Sequence, residues 1–404
     1  MLCQTERKKK AKNGRKGNSV SFSNDSNKFT PKFKSDQRKI GLNHTFIYNN
    51  RNTHNNIDNI NNKYVRKIER YESAIQQLKA ELSACNKLLN KKKPMKPMKP
   101  FRLTTKILNS HSLSNAGYDI NQEQKTNQDR ISFLDISSSS SSSFAMAVAD
   151  GHGKQGEKVS RFVIDYLKEH IASINFSADK SYASSLIDLF KSCQTELTNT
   201  KTIPRKQSGT TVTCAFIVDN KVILANIGDS RSVVFAFAKN KIIFETNAHT
   251  LSVPSEKERI VNCPKAEVTA IVDRESGKKI GPERIFAKGK DGPGIMMTRS
   301  IGDVDAHELG VLDEAEVSER ELEEGEYAVI AASDGLWDKV SDMEVCEVVK
   351  KHYRNMDVRN IVGELADIAE QKWRDTDDVV DDITIGIVLF QVKKGESKKV
   401  KHKK

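Results

Sequence analysis

Short apolar runs recur between about residue 101 and residue 392, and polar turn residues separate them. Six runs are rich in β-branched or small apolar residues, and most of them end at Gly, Asp or Asn, which is typical of buried β-strands. They are "FAMAVAD", "TTVTCAFIV", "KVILANIGD", "SVVFAFA", "YAVIAASD" and "ITIGIVLF". Between them, helical periodicity predicts helices in "GEKVSRFVIDYLKEHIASI", "SYASSLIDLFKSCQTELTNT" and "DMEVCEVVKKHY". Strand clusters separated by paired helices predict a layered α+β body rather than a doubly wound parallel sheet.

A different period precedes this body, with apolar residues spaced alternately four and three positions apart. The positions are Tyr64, Ile68, Tyr71, Ile75, Leu78, Leu82, Cys85 and Leu89. This spacing is the a/d seam of a coiled coil, so we predict a helix over residues 63–92 that self-associates or binds a partner helix. A lone amphipathic helix folded onto the body is the alternative. The prolines of "KKKPMKPMKP" then predict a Pro/Lys linker over residues 93–104.

Charge divides the chain in the same way. The net charge is +12, but residues 1–100 hold 24 Lys and Arg against 7 Asp and Glu, so the body over residues 105–392 is acidic. We predict a basic disordered tail over residues 1–62 and a Lys-rich tail over residues 393–404. Contact of these tails with nucleic acid or an anionic membrane is the less favoured interpretation, since no nucleic-acid motif accompanies them. The run Ser137–Ser143 predicts a solvated loop.

The spacing of the cysteines and the length of the apolar runs indicate the cellular compartment. The six cysteines are scattered without metal-binding spacing, which fits a reduced environment better than a disulfide framework. No apolar run approaches the ~18 residues of a membrane-spanning helix, and the start of the chain has no signal-peptide pattern. We therefore expect an intracellular, soluble protein of the cytoplasm, the nucleus or both.

Aspartates recur where the predicted strands meet loops. They are Asp129, Asp150, Asp229, Asp334, and the neighbours Asp381 and Asp382. Turn residues are the ordinary explanation for one such Asp, but several of them can form a site for Mg²⁺ or Mn²⁺, which prefer oxygen ligands. The sequence lacks an EF-hand, a zinc motif, a P-loop and a GxSxG elbow. The stretch "MAVADGHGKQG" adds a histidine between two glycines directly after such an Asp.

Taken together, the segments of the body resemble the metal-dependent protein serine/threonine phosphatases of type 2C, the PPM family, in its plant and protist branch. The matching segments follow the family's order over roughly residues 105–392. They are "NQDR", "VADGHGKQGEKVSRFV", "SGTTVTCAFI", "ANIGDSRSVV", "AHTLSVPSEKERI", "GIMMTRSIGDVDAHELGV", "AASDGLWDKVSDMEV" and "DDITIGIV".

The resemblance implies a four-layer αββα sandwich, in which helix pairs flank two antiparallel β-sheets, with two divalent cations, Mg²⁺ or Mn²⁺, at one end. It implies that Asp150 bridges both ions and that the Gly151 carbonyl binds one of them. Asp334 and Asp381 would bind the other ion, and Asp129 would hold a water bound to metal. Asp229 together with Asp334 matches the pair that holds a third, weaker ion.

The activity implied is hydrolysis of phosphoserine and phosphothreonine in phosphoprotein substrates by a water that bridges the two metals. His152 matches the general acid of the family, which protonates the departing alkoxide, and its ordinary pKa of roughly 6.5 suits this role. The alternative is a catalytically inactive protein of the same fold that acts as a scaffold through its coiled coil and basic tails.

Two positions depart from the family pattern near the expected site. Gln128 stands where many members have Glu, and we expect its amide to accept a hydrogen bond from metal-bound water. Gln124 stands where a phosphate-binding Arg is common. The adjacent Lys125 is then the candidate phosphate ligand, although it lacks the bidentate geometry of Arg.

Overall fold

A computed structural model describes most of the predicted body and one stretch of the N-terminal region. The described residues are 71–83, 103–134, 136, 143–174, 176, 182–203, 205–272 and 277–394. The chain divides into two compact units, residues 1–95 and residues 96–404.

In the first unit, residues 71–83 form helix α1, which lies inside the predicted heptad helix. Its seam residues Tyr71, Ile75, Leu78 and Leu82 are 50–64% exposed. The remaining seam positions, the tail over residues 1–62, most of the linker and the last ten residues lie outside the described residues. Self-association through this helix stays a prediction.

Among the described residues of the second unit, sixteen segments form β-strands. They are β1 (Leu103–Asn115), β2 (Arg130–Leu134), β3 (Ser143–Ala149), β4 (Gly151–Gly153), β5 (Ser208–Thr210), β6 (Val212–Val218), β7 (Lys221–Ile227), β8 (Arg231–Ala236), β9 (Lys241–Glu245), β10 (Ala266–Val272), β11 (Lys279–Ala287), β12 (Pro293–Ile295), β13 (Ile301–Gly302), β14 (Glu316–Glu321), β15 (Gly325–Ala332) and β16 (Ile383–Lys394).

The described part of this unit also contains seven α-helices. They are α2 (Gly156–His170), α3 (Tyr182–Asn199), α4 (Pro254–Val261), α5 (Val304–His307), α6 (Asp334–Trp337), α7 (Asp342–Tyr353) and α8 (Val358–Thr376). The six strands and three helices named from the sequence are all present; α7 has the predicted ends, and the others differ at one or both ends. The sequence pattern did not single out β1 or α8.

Two five-stranded antiparallel sheets form the centre of the unit. One has the order β1-β16-β15-β8-β9 and the other has the order β14-β7-β6-β3-β2. Two three-stranded sheets, β13-β5-β4 and β10-β11-β12, are smaller. The first of these two small sheets contains the turn with His152.

Successive residues of the central strands face two different apolar clusters, which explains the stacking of the two large sheets. In β6, Cys214 and Phe216 belong to an apolar cluster with α2 and α3, whereas Ala215 and Ile217 belong to the cluster between the sheets. Successive strand residues point to opposite faces, so a strand buried on both faces is a continuous apolar run. This is why "VTCAFIV" shows no polar alternation.

The outer layers are helical on both sides. Helices α2 and α3 cover the sheet that contains β6, and α7 and α8 cover the sheet that contains β16. The sequence of layers is therefore helix, sheet, sheet, helix, and the predicted α+β sandwich is confirmed. In the part of the chain that the structure describes, no helix has both the length and the apolar character needed to cross a membrane.

Candidate active site

The turn between β3 and β4 places Asp150, Gly151 and His152 at the end of a buried strand. Gly151 is buried, and a Cβ on it would lie 2.5 Å from the Gly156 carbonyl oxygen and 2.6 Å from the Gln128 carbonyl oxygen. Its amide donates to the Gln128 carbonyl at 3.2 Å. The close backbone approach leaves room only for glycine, which fixes the turn against residues 127–130, the segment that contains Asp129 and that we call the first acidic segment.

Five aspartates from separate strand ends influence one another electrostatically, and we call them the aspartate cluster. They are Asp129, Asp150, Asp229, Asp334 and Asp381. Asp129 is only 1% exposed, and neither of its carboxylate oxygens has a hydrogen-bond partner of ordinary geometry among the described residues. The other four are partly exposed to solvent.

Burial raises the pKa of Asp129 to about 7, and the negative charges of Asp382 and Asp381 add to this rise. The nearby hydroxyls of Ser333 and Thr384 lower the pKa but offset burial only in part. Burial also raises the pKa of Asp150 well above its ordinary value, followed by repulsion from Asp129 and other cluster members. These shifts mean that ionised carboxylates repel one another here.

The pKa values of Asp334 and Asp229 move in the same direction. Burial raises the pKa of Asp334 well above its ordinary range, and the Asp229 and Asp381 carboxylates add repulsion. Burial raises the pKa of Asp229 to about 6, while its own backbone and His152 work in the opposite direction. A positive charge placed among these groups would reverse all of these shifts.

The donor set fits a hard divalent cation. It consists of carboxylate oxygens, and Asp129 and Asp229 contain buried oxygens without a hydrogen-bond partner in the described structure. Among the described residues, no three His, Cys, Asp or Glu side chains close into a cage around one point. Mg²⁺ keeps several waters and needs only one or two carboxylates, so a closed cage is not its usual site.

Lys125 pairs with the aspartate cluster. Its ammonium lies 3.0 Å from Oδ1 of Asp381. Burial alone would lower the pKa of Lys125, but the Asp381 carboxylate reverses this effect and the pKa is raised. Gln124, at the position where the family commonly has Arg, is exposed. The expected contact of Lys125 with phosphate therefore stays a prediction, because its ammonium is paired with Asp381 here.

His152 has a buried carboxylate partner that the sequence did not indicate. Its Nε2 lies 2.5 Å from Oδ2 of Asp303, which also accepts from the Ser300 hydroxyl at 2.7 Å. Burial alone would lower the pKa of His152, but Asp303 and then Asp229 raise it above its ordinary value. A Cβ on Gly209 would overlap the Asp303 carboxylate and approach His152 Nε2 to 2.8 Å. The pair thus occupies the space left by Gly209.

Gln128 and Asp382 hold the first acidic segment in place. The Gln128 side-chain amide donates to the Gly153 carbonyl at 2.9 Å, which a Glu at this position could do only when protonated. The Asp382 carboxylate accepts hydrogen bonds from two backbone N–H groups, that of Gly117 at 2.7 Å and that of Gln128 at 2.8 Å. The sequence marked Asp382 only as a neighbour of Asp381, and these contacts make it a positioning residue.

The body matches known proteins over most of its length. The sequence model of the family described as Protein phosphatase 2C matches residues 114–376. Probable protein phosphatase 2C 35 of Arabidopsis thaliana is 28% identical over 302 residues, which cover 70% of this chain and 83% of the relative. Probable protein phosphatase 2C 72 of the same plant is 28% identical over 264 residues, which cover 62% of this chain and 77% of the relative.

Solved structures agree with the fold. The serine-threonine phosphatase 2C from Toxoplasma gondii superposes with a TM-score of 0.56 at 17% sequence identity, covering 72% of this chain and 99% of that protein. At this identity the likeness concerns the fold alone. It matches the four-layer arrangement described above.

Proposed function

Because the chain belongs to the protein phosphatase 2C family, we propose that it hydrolyses phosphoserine and phosphothreonine with the aspartate cluster as its metal site and His152 as general acid. The observation that supports this proposal most strongly is the convergence of five aspartates, whose mutual repulsion calls for bound cations. The relatives named above are themselves described as probable protein phosphatases.

Two divalent ions, Mg²⁺ or Mn²⁺, would be held by Asp150, Asp334 and Asp381, with the Gly151 carbonyl and with Asp129 through water. When bound, such ions supply a nucleophilic water near neutral pH and neutralise charge on the phosphoryl group. Asp229 and Asp334 would hold a third, weaker ion. Lys125 would be free to contact phosphate once a cation replaces its ammonium on Asp381.

His152 supplies the proton that the leaving alkoxide needs. Asp303 fixes the ring at Nε2 and favours the protonated imidazole, so a proton is available near neutral pH. The other ring nitrogen, Nδ1, is buried and has no hydrogen-bond partner of ordinary geometry among the described residues, and the nearby Asp150 backbone also contributes to the raised pKa of the ring. A serine or threonine alkoxide is a poor leaving group and depends on this proton, whereas a nitrophenolate leaves without it.

The test is phosphate release from a phosphothreonine peptide and from p-nitrophenyl phosphate by the full-length protein, with Mg²⁺ or Mn²⁺ and then with EDTA. We expect metal-dependent turnover of both substrates, and Asp150→Asn should lower kcat at least ~100-fold on each. His152→Gln and Asp303→Asn should lower kcat on the peptide ~10–100-fold and affect p-nitrophenyl phosphate much less.

Equal losses on both substrates would contradict the general-acid role of His152. A folded wild-type protein without turnover in either metal would contradict the phosphatase proposal and favour the inactive scaffold.

We also propose that the exposed apolar face of α1 mediates self-association of the chain. Its residues Tyr71, Ile75, Leu78 and Leu82 keep the four-and-three spacing of a coiled coil. Sedimentation equilibrium of the full-length protein should show a dimer that Ile75→Lys with Leu82→Lys dissociates. A wild-type protein that is monomeric at tens of micromolar would contradict this proposal.

A further inference from the structure

A groove of about 670 Å³ lies beside the turn that contains His152, and basic residues line it. Lys154, Lys201, Arg205 and Lys206 contribute the positive charges, and Ser208 and Asp305 lie among them. The catalytic proposal uses none of these residues. The body as a whole is acidic, so this concentration of positive charge next to the site stands apart from its surroundings.

The lysines of the groove are available to a ligand. Lys154, Lys201 and Lys206 are exposed, and none of them forms a salt bridge with any residue that the structure describes. Asp305 is the acidic residue in the lining. With four basic residues and one acidic residue in its described lining, the groove has a net positive charge, which attracts anions at physiological ionic strength over about 8 Å.

Backbone hydrogen bonds join the lining of the groove to the segment that contains Asp303, the partner of His152. The amides of Val304 and Asp305 donate to the carbonyls of Arg205 and Lys206 at 3.0 and 3.1 Å. The Asp303 amide donates to the Ser208 carbonyl at 3.1 Å, and the Asp303 side chain holds His152. Since one segment positions both the groove and His152, the distance between them is set by the fold.

That distance suits one extended peptide. Lys154 follows His152 by two residues, so their backbones lie within about 7 Å of each other. An extended peptide advances about 3.3 Å per residue, so a group two to four residues from the scissile phosphothreonine reaches the groove. None of the described residues that line the groove is aromatic, so the base stacking of single-stranded nucleic acid has no platform among them.

We infer that this groove binds a second anionic group, a phosphate or a carboxylate, two to four residues from the phosphorylated residue of a peptide substrate. The inference rests on the proposed phosphatase function and names its substrate class, which is acidic or multiply phosphorylated peptides. Lys201 and Lys206 act as specificity-determining residues, because they attract the second anion without touching the reacting phosphate.

The test compares three phosphothreonine peptides that differ at one position three residues away, where they contain serine, phosphoserine or glutamate. Loss of the phosphate on threonine is followed by mass spectrometry, because phosphoserine is itself an expected substrate. For the full-length wild type, we expect kcat/KM to be ~3–10-fold higher for the two anionic peptides than for the serine peptide. The preference should fall as salt rises. The double variant Lys201→Gln with Lys206→Gln should bring the ratio close to one, and a preference for phosphoserine alone would specify a second phosphate.

The matched control is the double variant Lys239→Gln with Lys350→Gln, which removes the same charge from exposed positions outside the groove. It should keep the wild-type ratio. A wild type without preference, or a groove variant that keeps the preference, would overturn the inference.

Fluorescence anisotropy of the same labelled peptides in EDTA measures binding without turnover, so it separates the two proposals. If no peptide is hydrolysed, the phosphatase proposal fails, and a binding preference that the groove variant removes still supports the groove. Equal binding of all three peptides, or tighter binding of a thymidine oligonucleotide of equal charge, would overturn the inference that the groove binds a second anionic group of a peptide.

Discussion

Glu256 and the aspartate cluster are both acidic groups inside the same domain, but their surroundings differ. The Glu256 carboxylate is 4% exposed and accepts hydrogen bonds from Arg259, Arg299 and Thr298, each at 2.6 Å. Burial would raise its pKa, but the two arginines and Thr298 reverse this effect and hold the pKa well below its ordinary value. The aspartate cluster has Lys125 as a partner at one edge, and the pKa values of Asp129, Asp150, Asp229 and Asp334 are raised.

The difference separates a structural carboxylate from a binding site. Glu256 ties α4 to Arg299 on the segment before β13, and every charge there has a partner inside the protein. In the aspartate cluster, the negative charges exceed the positive charges that the described residues provide, so a bound cation is needed to balance them. Sites that bind cations can be recognised by this incomplete balance, because a purely structural network rarely keeps several carboxylates together without positive partners.

Removing the carboxylate at Glu256 should give the largest change in stability. Glu256→Gln leaves the guanidinium groups of Arg259 and Arg299 without their counter-charge, so we expect the free energy of unfolding to fall by about 2–4 kcal/mol. Urea denaturation measures it, and Glu258→Gln, at an exposed position on the same helix, is the control and should change little. A loss below about 0.5 kcal/mol would show that the network is not structural.

Replacing a carboxylate by an amide in the aspartate cluster should raise the free energy of unfolding, whereas the same replacement at Glu256 lowers it. Asp150→Asn removes one repelling charge, so the metal-free protein should gain about 1–3 kcal/mol in the free energy of unfolding. Denaturation in EDTA tests this, with the exposed Asp188→Asn as the control. If Asp150→Asn destabilises the metal-free fold, repulsion does not dominate the cluster.

The two sites should also give opposite pH dependences, with smaller effects for each pH unit. The pKa of Asp129 rises to about 7 in the fold, so the metal-free protein should lose stability as pH increases from about 4 to about 7, because ionisation is resisted in the folded state. The folded pKa of Glu256 is depressed, so its contribution is present above about pH 4.5 and is lost as pH falls.

Thermal melts in EDTA between pH 4 and pH 8 should therefore show the free energy of unfolding falling by ~1–2 kcal/mol per pH unit between about pH 4 and pH 7, and Asp150→Asn should reduce this slope. Glu256→Gln should flatten only the acid side of the profile. A wild type whose metal-free stability rises steadily to pH 8 would contradict the raised pKa values of the cluster.

The family resemblance in the sequence predicted the sandwich and named all members of the aspartate cluster, because each lies close to the start or the end of a strand. It did not find the pairing of His152 with Asp303. These residues lie 151 positions apart, and only the antiparallel pairing of β4 with β5 and of β5 with β13 brings them together. The donor role of the Gln128 amide and the pairing of Lys125 with Asp381 were missed for the same reason, since side-chain direction depends on long-range packing.

The central claim is that the aspartate cluster is a site for two divalent cations, and isothermal titration calorimetry of the metal-free, full-length protein with Mn²⁺ tests it most directly. We predict binding of about two ions per chain, with release of protons because the raised pKa values require ionisation on binding, and loss of most of the heat in Asp150→Asn. Absence of binding to the wild type, or unchanged binding to Asp150→Asn, would contradict the account.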